Sequence, residues 1–218
     1  METDEITIPI SNDINLKGSL IIPSGAIALV IFSHSGESSR LNHNNKDIAS
    51  ILNKKKIATL LTDLLTEKED GLFENSFDID LLAGHLSGIT NYVIQRPDLK
   101  NLKVGYFGAG TGTGAALKAA VGAGKTIRAI VSRGGRPNLS KEELAEVKAP
   151  TLLLVGNLDD EVIKFNQWTF DALQCEKKLE VIEGASHLLE EPGKLDEVAQ
   201  LAANWFARHL QPDPLLTT

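Results

Sequence analysis

The sequence predicts an α/β domain whose central sheet is doubly wound and mostly parallel, with an antiparallel hairpin at its N-terminal edge. Three observations lead to this prediction: two short alternating segments open the chain, short apolar runs follow, and segments with helical period lie between those runs. Apolar runs without alternation are typical of strands buried on both faces, as in a parallel sheet. Regular alternation of strand and helix is typical of a doubly wound fold.

The elements can be assigned in chain order. The hairpin comes first, at residues 6–10 and 15–22, and the polar residues 11–13 form its turn. The runs that predict buried strands are residues 27–32, 57–61, 102–107, 127–131, 151–155 and 179–182. The segments with helical period are residues 44–53, 78–94, 114–121, 162–173 and 195–210.

The sequence shows no internal repeat, low-complexity linker or break in composition. We therefore expect one domain over residues 1–218, with residues 211–218 as a frayed tail that contains two prolines. The connection between residues 131 and 151 is short. It leaves no room for a large cap domain over the carboxyl edge of the sheet.

Composition and charge exclude several classes of partner. The net charge is −7 and no basic stripe is present, which argues against a nucleic-acid partner. No apolar run is long enough to span a bilayer, and the acidic N-terminus lacks the apolar region of a signal peptide. The single cysteine, Cys175, cannot form an internal disulfide, which fits a reducing compartment. We expect a cytoplasmic monomer or homodimer that does not bind membranes.

Polar and glycine-rich segments directly follow five of the predicted strands. They are residues 33–40, 108–114, 132–137, 156–160 and 183–187. Ligands of open α/β sheets bind beyond the carboxyl ends of the strands, so these segments predict one functional edge. No group of His, Cys and carboxylate residues has the spacing of a metal site, and we expect no cofactor.

Residues 108–112 read Gly-Ala-Gly-Thr-Gly and have the pattern of a nucleophile elbow, G-x-S-x-G, with Gly110 in the central position. An elbow needs small flanking residues because the chain turns sharply from strand into helix and lifts the central side chain toward the substrate. The next backbone N–H, here that of Thr111, helps to bind the oxyanion. Asp159 and His187 follow later strands, in the order nucleophile, acid, base that α/β-hydrolases share.

These motifs resemble the dienelactone hydrolase-like family of α/β-hydrolases, in particular small cap-less bacterial members with the elbow GYFGASTG. The elbow here reads GYFGAGTG over residues 105–112, and residues 63–66, 132–137 and 185–193 also look like the family. The resemblance covers nearly the whole chain and implies an α/β-hydrolase fold with a small-molecule ester or lactone as substrate. It also implies that Asp159 is the acid, that His187 is the base and that Gly110 occupies the position of the nucleophile.

The chain departs from the family pattern at two places. Gly110 has no side chain and cannot act as a nucleophile. The loop after the first central strand usually reads His-Gly-Ser/Ala-Gly in the family, whereas this chain has His34 followed by Ser35, Gly36 and Glu37. That loop normally supplies the second oxyanion donor, so both altered positions are expected to face one pocket. The sequence leaves open whether Gly110 arose naturally or by engineering.

Two hydrolase hypotheses follow from these departures. In the first, native-type activity is lost together with the nucleophile. In the second, Ser35 is a relocated nucleophile in an engineered serine hydrolase and uses His187 as its base. The alternative for Ser35 is the capping of its own loop. Arg133 and Arg136 flank a glycine pair and either bind a substrate carboxylate or anchor the loop.

Two binding hypotheses stand beside them. Residues 110–115 satisfy G-x-G-x-x-A, a pattern that admits a pyrophosphate to a helix N-terminus and predicts dinucleotide binding. Two observations argue against dinucleotide binding. The turn follows an internal strand rather than the first strand–helix–strand unit, and the next strand does not end in an acidic residue that could bind a ribose. In the other binding hypothesis, the emptied pocket holds a small acyl or carboxylate ligand.

Overall fold

The computed structural model describes residues 2–34 and 39–211, and it forms one eight-stranded sheet in the order β1-β2-β4-β3-β5-β6-β7-β8. The first two strands pair antiparallel, β2 pairs antiparallel with β4, and the remaining pairings are parallel. This confirms the doubly wound, mostly parallel sheet with an N-terminal hairpin. The strands are β1 (Asp4–Pro9), β2 (Asn15–Ile21), β3 (Ala28–His34), β4 (Ile57–Thr62), β5 (Lys103–Ala109), β6 (Ile127–Arg133), β7 (Thr151–Gly156) and β8 (Lys177–Ile182). The predicted frayed tail lies outside the described residues except for Gln211.

Helices cover both faces of this sheet. The helices of the described residues are α1 (His43–Lys54), α2 (Glu67–Asp70), α3 (Ile79–Gln95), α4 (Gly112–Ala123), α5 (Lys141–Ala145), α6 (Asp160–Ala172) and α7 (Lys194–His209). The helices α1 and α7 pack on one face, and α3, α4 and α6 pack on the other. Within the described part of the chain, no helix has the length and apolar character that a membrane crossing needs.

The helices α2 and α5 are short and were missed by the sequence prediction, because four or five residues cannot show a helical period. Both begin with a capping box. Thr66 and Glu69 form the first box, and Ser140 and Glu143 form the second. In each box the hydroxyl and the glutamate satisfy two backbone N–H groups that the helix start leaves free. The S/T-x-x-E spacing is therefore the sequence signal that would have found these helices.

The central strands are buried on both sides, as their unbroken apolar runs predict. Leu29 and Ile31 of β3 pack in the core beneath α3 and α4, whereas Val30 and Phe32 pack in the core beneath α1 and α7. Every residue of β4 and of β7 is buried. Since both faces of the sheet are covered, its exposed loops lie beyond the ends of the strands.

The carboxyl ends of the inner strands meet in register. His34 at the end of β3 pairs with Ala109 of β5, Ala109 pairs with Arg133 of β6, and Arg133 pairs with Leu154 of β7. The loops that follow these strands therefore start side by side. They carry the residues that the sequence singled out.

Candidate active site

Gly110 lies at the tip of the turn between β5 and α4. Its backbone is left-handed, with φ of 55°. Side chains of L-residues rarely adopt this conformation, but a strained nucleophile elbow imposes such strain on its central residue. A Cβ built on Gly110 would meet no described atom within 4 Å. The turn thus has the backbone of an elbow and open space where the elbow side chain would project.

The flanking glycines are explained by close backbone packing. A Cβ on Gly112 would lie 2.1 Å from the carbonyl oxygen of Ser33, and one on Gly108 would lie 2.7 Å from the Cα of Thr113. The Ser33 hydroxyl also donates a 2.7 Å hydrogen bond to the Gly112 carbonyl, which ties β3 to the first turn of α4. Close packing therefore explains why positions 108 and 112 are glycines, and no bound nucleotide is needed to explain them. Packing does not explain Gly110, because the described residues leave room for a side chain there.

Asp159 and His187, which the family resemblance predicts to be acid and base, contact each other in the structure. The Oδ2 atom of Asp159 lies 3.2 Å from Nδ1 of His187. Its other oxygen, Oδ1, accepts a 3.1 Å hydrogen bond from the backbone N–H of Val162 and caps the start of α6. The helix start thus fixes the carboxylate, and the carboxylate orients the imidazole. Nδ1 is directed at Asp159, and the side chain of His187 is 47% exposed.

The loop that carries His187 is held in place by hydrogen bonds that its backbone donates to two side chains. Asn157 Oδ1 accepts from the N–H of Gly184 at 2.7 Å, and Glu191 Oε1 accepts from the N–H of Ser186 at 2.8 Å. Hydrogen bonds from Ser186 lower the pKa of the Glu191 carboxyl. Sequence reasoning gave neither residue a role. Asn157 lies in the polar segment 156–160 directly after β7, and Glu191 lies in the family-like stretch 185–193.

The segment after β6 joins the elbow to the acid–base pair. A Cβ on Gly134 would lie 2.1 Å from the carbonyl oxygen of His187, so the two backbones are in close contact. Two residues later, the N–H of Arg136 donates to the carbonyl of Gly110 at 3.3 Å. One short segment therefore contacts both the turn and the loop of the base, which places Gly110 and His187 at the same edge of the sheet.

Of the remaining predicted residues, Thr111, Arg133 and Arg136 can be placed, and Ser35 and Gly36 cannot. Thr111 directly precedes α4, at a helix N-terminus where backbone N–H groups lack partners within the helix. The side chain of Arg136 is exposed. Ser35 and Gly36 lie outside the described residues. Among residues 2–34 and 39–211, no three His, Cys, Asp or Glu side chains come together in a way that could hold a metal ion.

Arg133 is buried at the carboxyl end of β6, and His34 is partly buried at the carboxyl end of β3. Arg133 is only 7% exposed, and its Nη1 has no hydrogen-bond partner among the described residues. Burial lowers the pKa of Arg133, while the charge of Glu190 acts in the opposite direction. Burial, and then the positive charge of Arg133, lower the pKa of His34 to about 4. His34 is therefore neutral near pH 7.

We expect His34 to make the fold sensitive to acid. Its pKa falls from 6.5 to about 4 on folding, so between these values the unfolded chain takes up a proton that the folded chain excludes. The contribution of His34 to the free energy of unfolding is then fully present above pH 6.5 and is lost as the pH falls through 4, by about 3 kcal/mol in total. Urea unfolding at neutral and acidic pH measures this change. His34→Gln should remove that part of the pH dependence. Equal pH dependence in the wild type and His34→Gln would contradict the expectation.

Comparison with known proteins gives two kinds of match. No family model matches the chain. Relatives from two strains of Mycobacterium tuberculosis, CDC 1551 and H37Rv, are named "Putative phosphoribosyl transferase" and are 44% identical over 207 residues, or 95% of this chain and 47% of theirs. The chain thus spans about half the length of these curated relatives. A solved dienelactone hydrolase from Anabaena variabilis is 46% identical, with a TM-score of 0.92 over 96% of this chain and 99% of that one.

More distant solved structures share the fold alone. Est1E from Butyrivibrio proteoclasticus is 14% identical with a TM-score of 0.79, over 94% of this chain and 98% of its own. The esterase domain of a Rhodothermus marinus protein is 16% identical with a TM-score of 0.76, over 96% of this chain and all of its own. The arrangement of strands and helices is therefore that of esterases of the α/β-hydrolase fold.

Proposed function

Because the chain belongs to the dienelactone hydrolase-like family of α/β-hydrolases, we propose that it is a carboxylic-ester or lactone hydrolase scaffold whose nucleophile has been replaced by Gly110. The proposal rests on a contrast between the side chains that the site retains and the one that it lacks. Asp159 and His187 are joined at 3.2 Å, while the elbow backbone beside them presents no side chain. Covalent acyl transfer needs an oxygen or sulfur nucleophile at the elbow. We therefore expect native-type hydrolysis to be lost.

The parts that remain have defined roles in this proposal. Asp159 orients His187, whose Nε2 would take a proton from a nucleophile and return it to the leaving alcohol. The backbone N–H of Thr111 would bind the oxyanion of a small ester or lactone, together with a donor from the loop that carries Ser35. What is missing is the atom that attacks the carbonyl carbon.

A relocated nucleophile at Ser35 is the second candidate. Ser35 is bonded to His34, which pairs across the sheet with Ala109, the residue before Gly110. The last described residue before Ser35 thus ends a strand that lies beside the one leading into the elbow. In this alternative, the Ser35 hydroxyl attacks the ester and His187 serves as its base.

A fluorophosphonate probe followed by mass spectrometry distinguishes the two candidates. The inactive scaffold predicts an unmodified chain, and turnover of a p-nitrophenyl ester no faster than in a His187→Ala variant. An adduct on Ser35 that disappears in Ser35→Ala, and persists when the exposed Ser11 is changed to Ala, would replace the first candidate with the second. Turnover that needs His187 without any adduct would contradict both.

The name of the Mycobacterium relatives applies to proteins about twice as long as the matched region. The dienelactone hydrolase from Anabaena aligns with 96% of this chain and is matched over 99% of its own length. The hydrolase fold thus accounts for the whole of the shared region. We propose that phosphoribosyl transfer, the activity in the relatives' name, belongs to the half that this chain does not cover.

A further inference from the structure

A cleft with a volume of about 660 Å³ lies between α6 and the segment that follows β6, and Gly110 and His187 do not line it. Pro137 and Leu139 form one wall, and Phe165 and Trp168 of α6 form the other. Its volume falls within the range of about 300–1,000 Å³ that is typical of small-molecule sites. We propose that this cleft binds an uncharged, planar aromatic molecule.

Both walls of the cleft are held in place by contacts behind it. The side-chain Nδ2 of Asn166, on the buried face of α6, donates to the carbonyl of Gly135 at 2.9 Å. Leu139 is anchored in the core, and Asn138 has a left-handed backbone that turns the chain between the two wall residues. The cleft is therefore preformed, which lowers the entropy that a ligand must lose on binding.

The aromatic residues of the wall are exposed, although Asn166 and Thr169 on the same helix are buried. Phe165 is 53% exposed and Trp168 is 44% exposed. They are three residues apart and so share one face of the helix, where two rings can contact the same ligand. Covering exposed aromatic surface with a flat ring is favourable both through burial and through ring–ring geometry. An aromatic ligand would gain most from this wall.

The charges around the cleft favour a neutral ligand. Glu161 and Lys164 both line it, so the lining carries one negative and one positive charge. An ionic ligand would be attracted by one of these charges and repelled by the other, so the lining gives no net attraction to offset the cost of taking its charge out of water. An uncharged ring does not meet that cost. The inference does not depend on whether the elbow is catalytically active, because the cleft shares no residue with the acid–base pair.

Binding of the neutral dye N-phenyl-1-naphthylamine, whose emission rises in apolar sites, tests the proposal in the intact chain. We expect saturable binding of one dye per chain. Phe165→Ala and Trp168→Ala should each weaken it about tenfold, since each removes one ring from the wall. Both side chains are half exposed, so neither truncation opens the core. Phe73→Ala is the matched control, because Phe73 is exposed and does not line the cleft.

The charge argument is tested with the anionic dye 8-anilinonaphthalene-1-sulfonate. It should bind more weakly than the neutral dye, and Glu161→Gln should strengthen its binding. Equal loss of neutral dye in Phe73→Ala and Trp168→Ala, or tighter binding of the anion by the wild type, would overturn the proposal. So would a dimer in sedimentation experiments that Trp168→Ala dissociates, because a second copy would then be the occupant.

Discussion

The Gly110→Ser variant is expected to hydrolyse a p-nitrophenyl ester about 10³-fold faster than the parent chain, because it restores the missing nucleophile. The backbone at Gly110 already has the left-handed conformation of an elbow, and a Cβ there meets no described atom within 4 Å. Among the described residues, the new hydroxyl would enter open space at the same edge of the sheet as Asp159 and His187, whose side chains lie 3.2 Å apart. No other part of the described site has to be rebuilt.

The expected gain is smaller than the full contribution of such a nucleophile, which is about 10⁴–10⁶ in related mechanisms. The loop after β3 also departs from the family pattern, and that loop normally provides the second oxyanion donor. A single oxyanion donor costs about 10²–10³ in rate when it is lost. Gly110→Ser alone therefore does not recover the part of the hydrolysis rate that depends on the second oxyanion donor.

Gly110→Ala is the control that separates chemistry from strain. Both variants place a Cβ on a residue with φ of 55°, so each should lose about 1–2 kcal/mol of stability. Only the serine variant should gain hydrolysis and react with a fluorophosphonate, and adding His187→Ala should abolish the gain. A folded Gly110→Ser that is no faster than Gly110→Ala would show that the site lacks more than a nucleophile.

The sheet could be predicted from the sequence because a strand that is buried on both faces consists almost entirely of apolar residues. The strands β3 to β7 are runs of apolar residues bounded by glycine or polar segments, and no other common element of that length has this pattern. The family resemblance located Asp159 and His187 along the chain. Neither source could predict that one oxygen of Asp159 caps α6 while the other holds His187, because that double role depends on where the helix starts in space.

Other features of the site edge were not readable because they depend on packing. Arg133 was predicted to flank a glycine pair at the edge of the sheet, and nothing in its sequence context signalled that β6 would carry it into a buried position. The helical period of residues 162–173 predicted one apolar face on α6. In the structure Val162, Asn166 and Thr169 are buried, while Phe165 and Trp168 lie on the neighbouring exposed face. Apolar character alone did not distinguish a core face from a cleft wall.

Gly112→Ala should destabilise the fold by about 3 kcal/mol or more, since the new methyl group would clash with backbone that cannot easily move. Its Cβ would lie 2.1 Å from the carbonyl oxygen of Ser33 and 2.8 Å from the Cα of His34. Both atoms belong to β3, whose end is held in register with β5 by the pairing of His34 with Ala109. To relieve the clash, either the start of α4 or the end of β3 must shift.

Gly122→Ala in the same helix is the matched control. A Cβ on Gly122 meets no described atom within 4 Å, so alanine should instead stabilise α4 by about 0.5–1 kcal/mol through its better helix propensity. Urea unfolding of the two variants gives the comparison, and equal stability would contradict the packing argument. In the Gly110→Ser background, Gly112→Ala should also remove the recovered esterase activity, because the shift that relieves the clash moves the elbow away from His187. The two glycines lie two residues apart in one motif, yet only Gly110 occupies a place where the fold can accept a side chain.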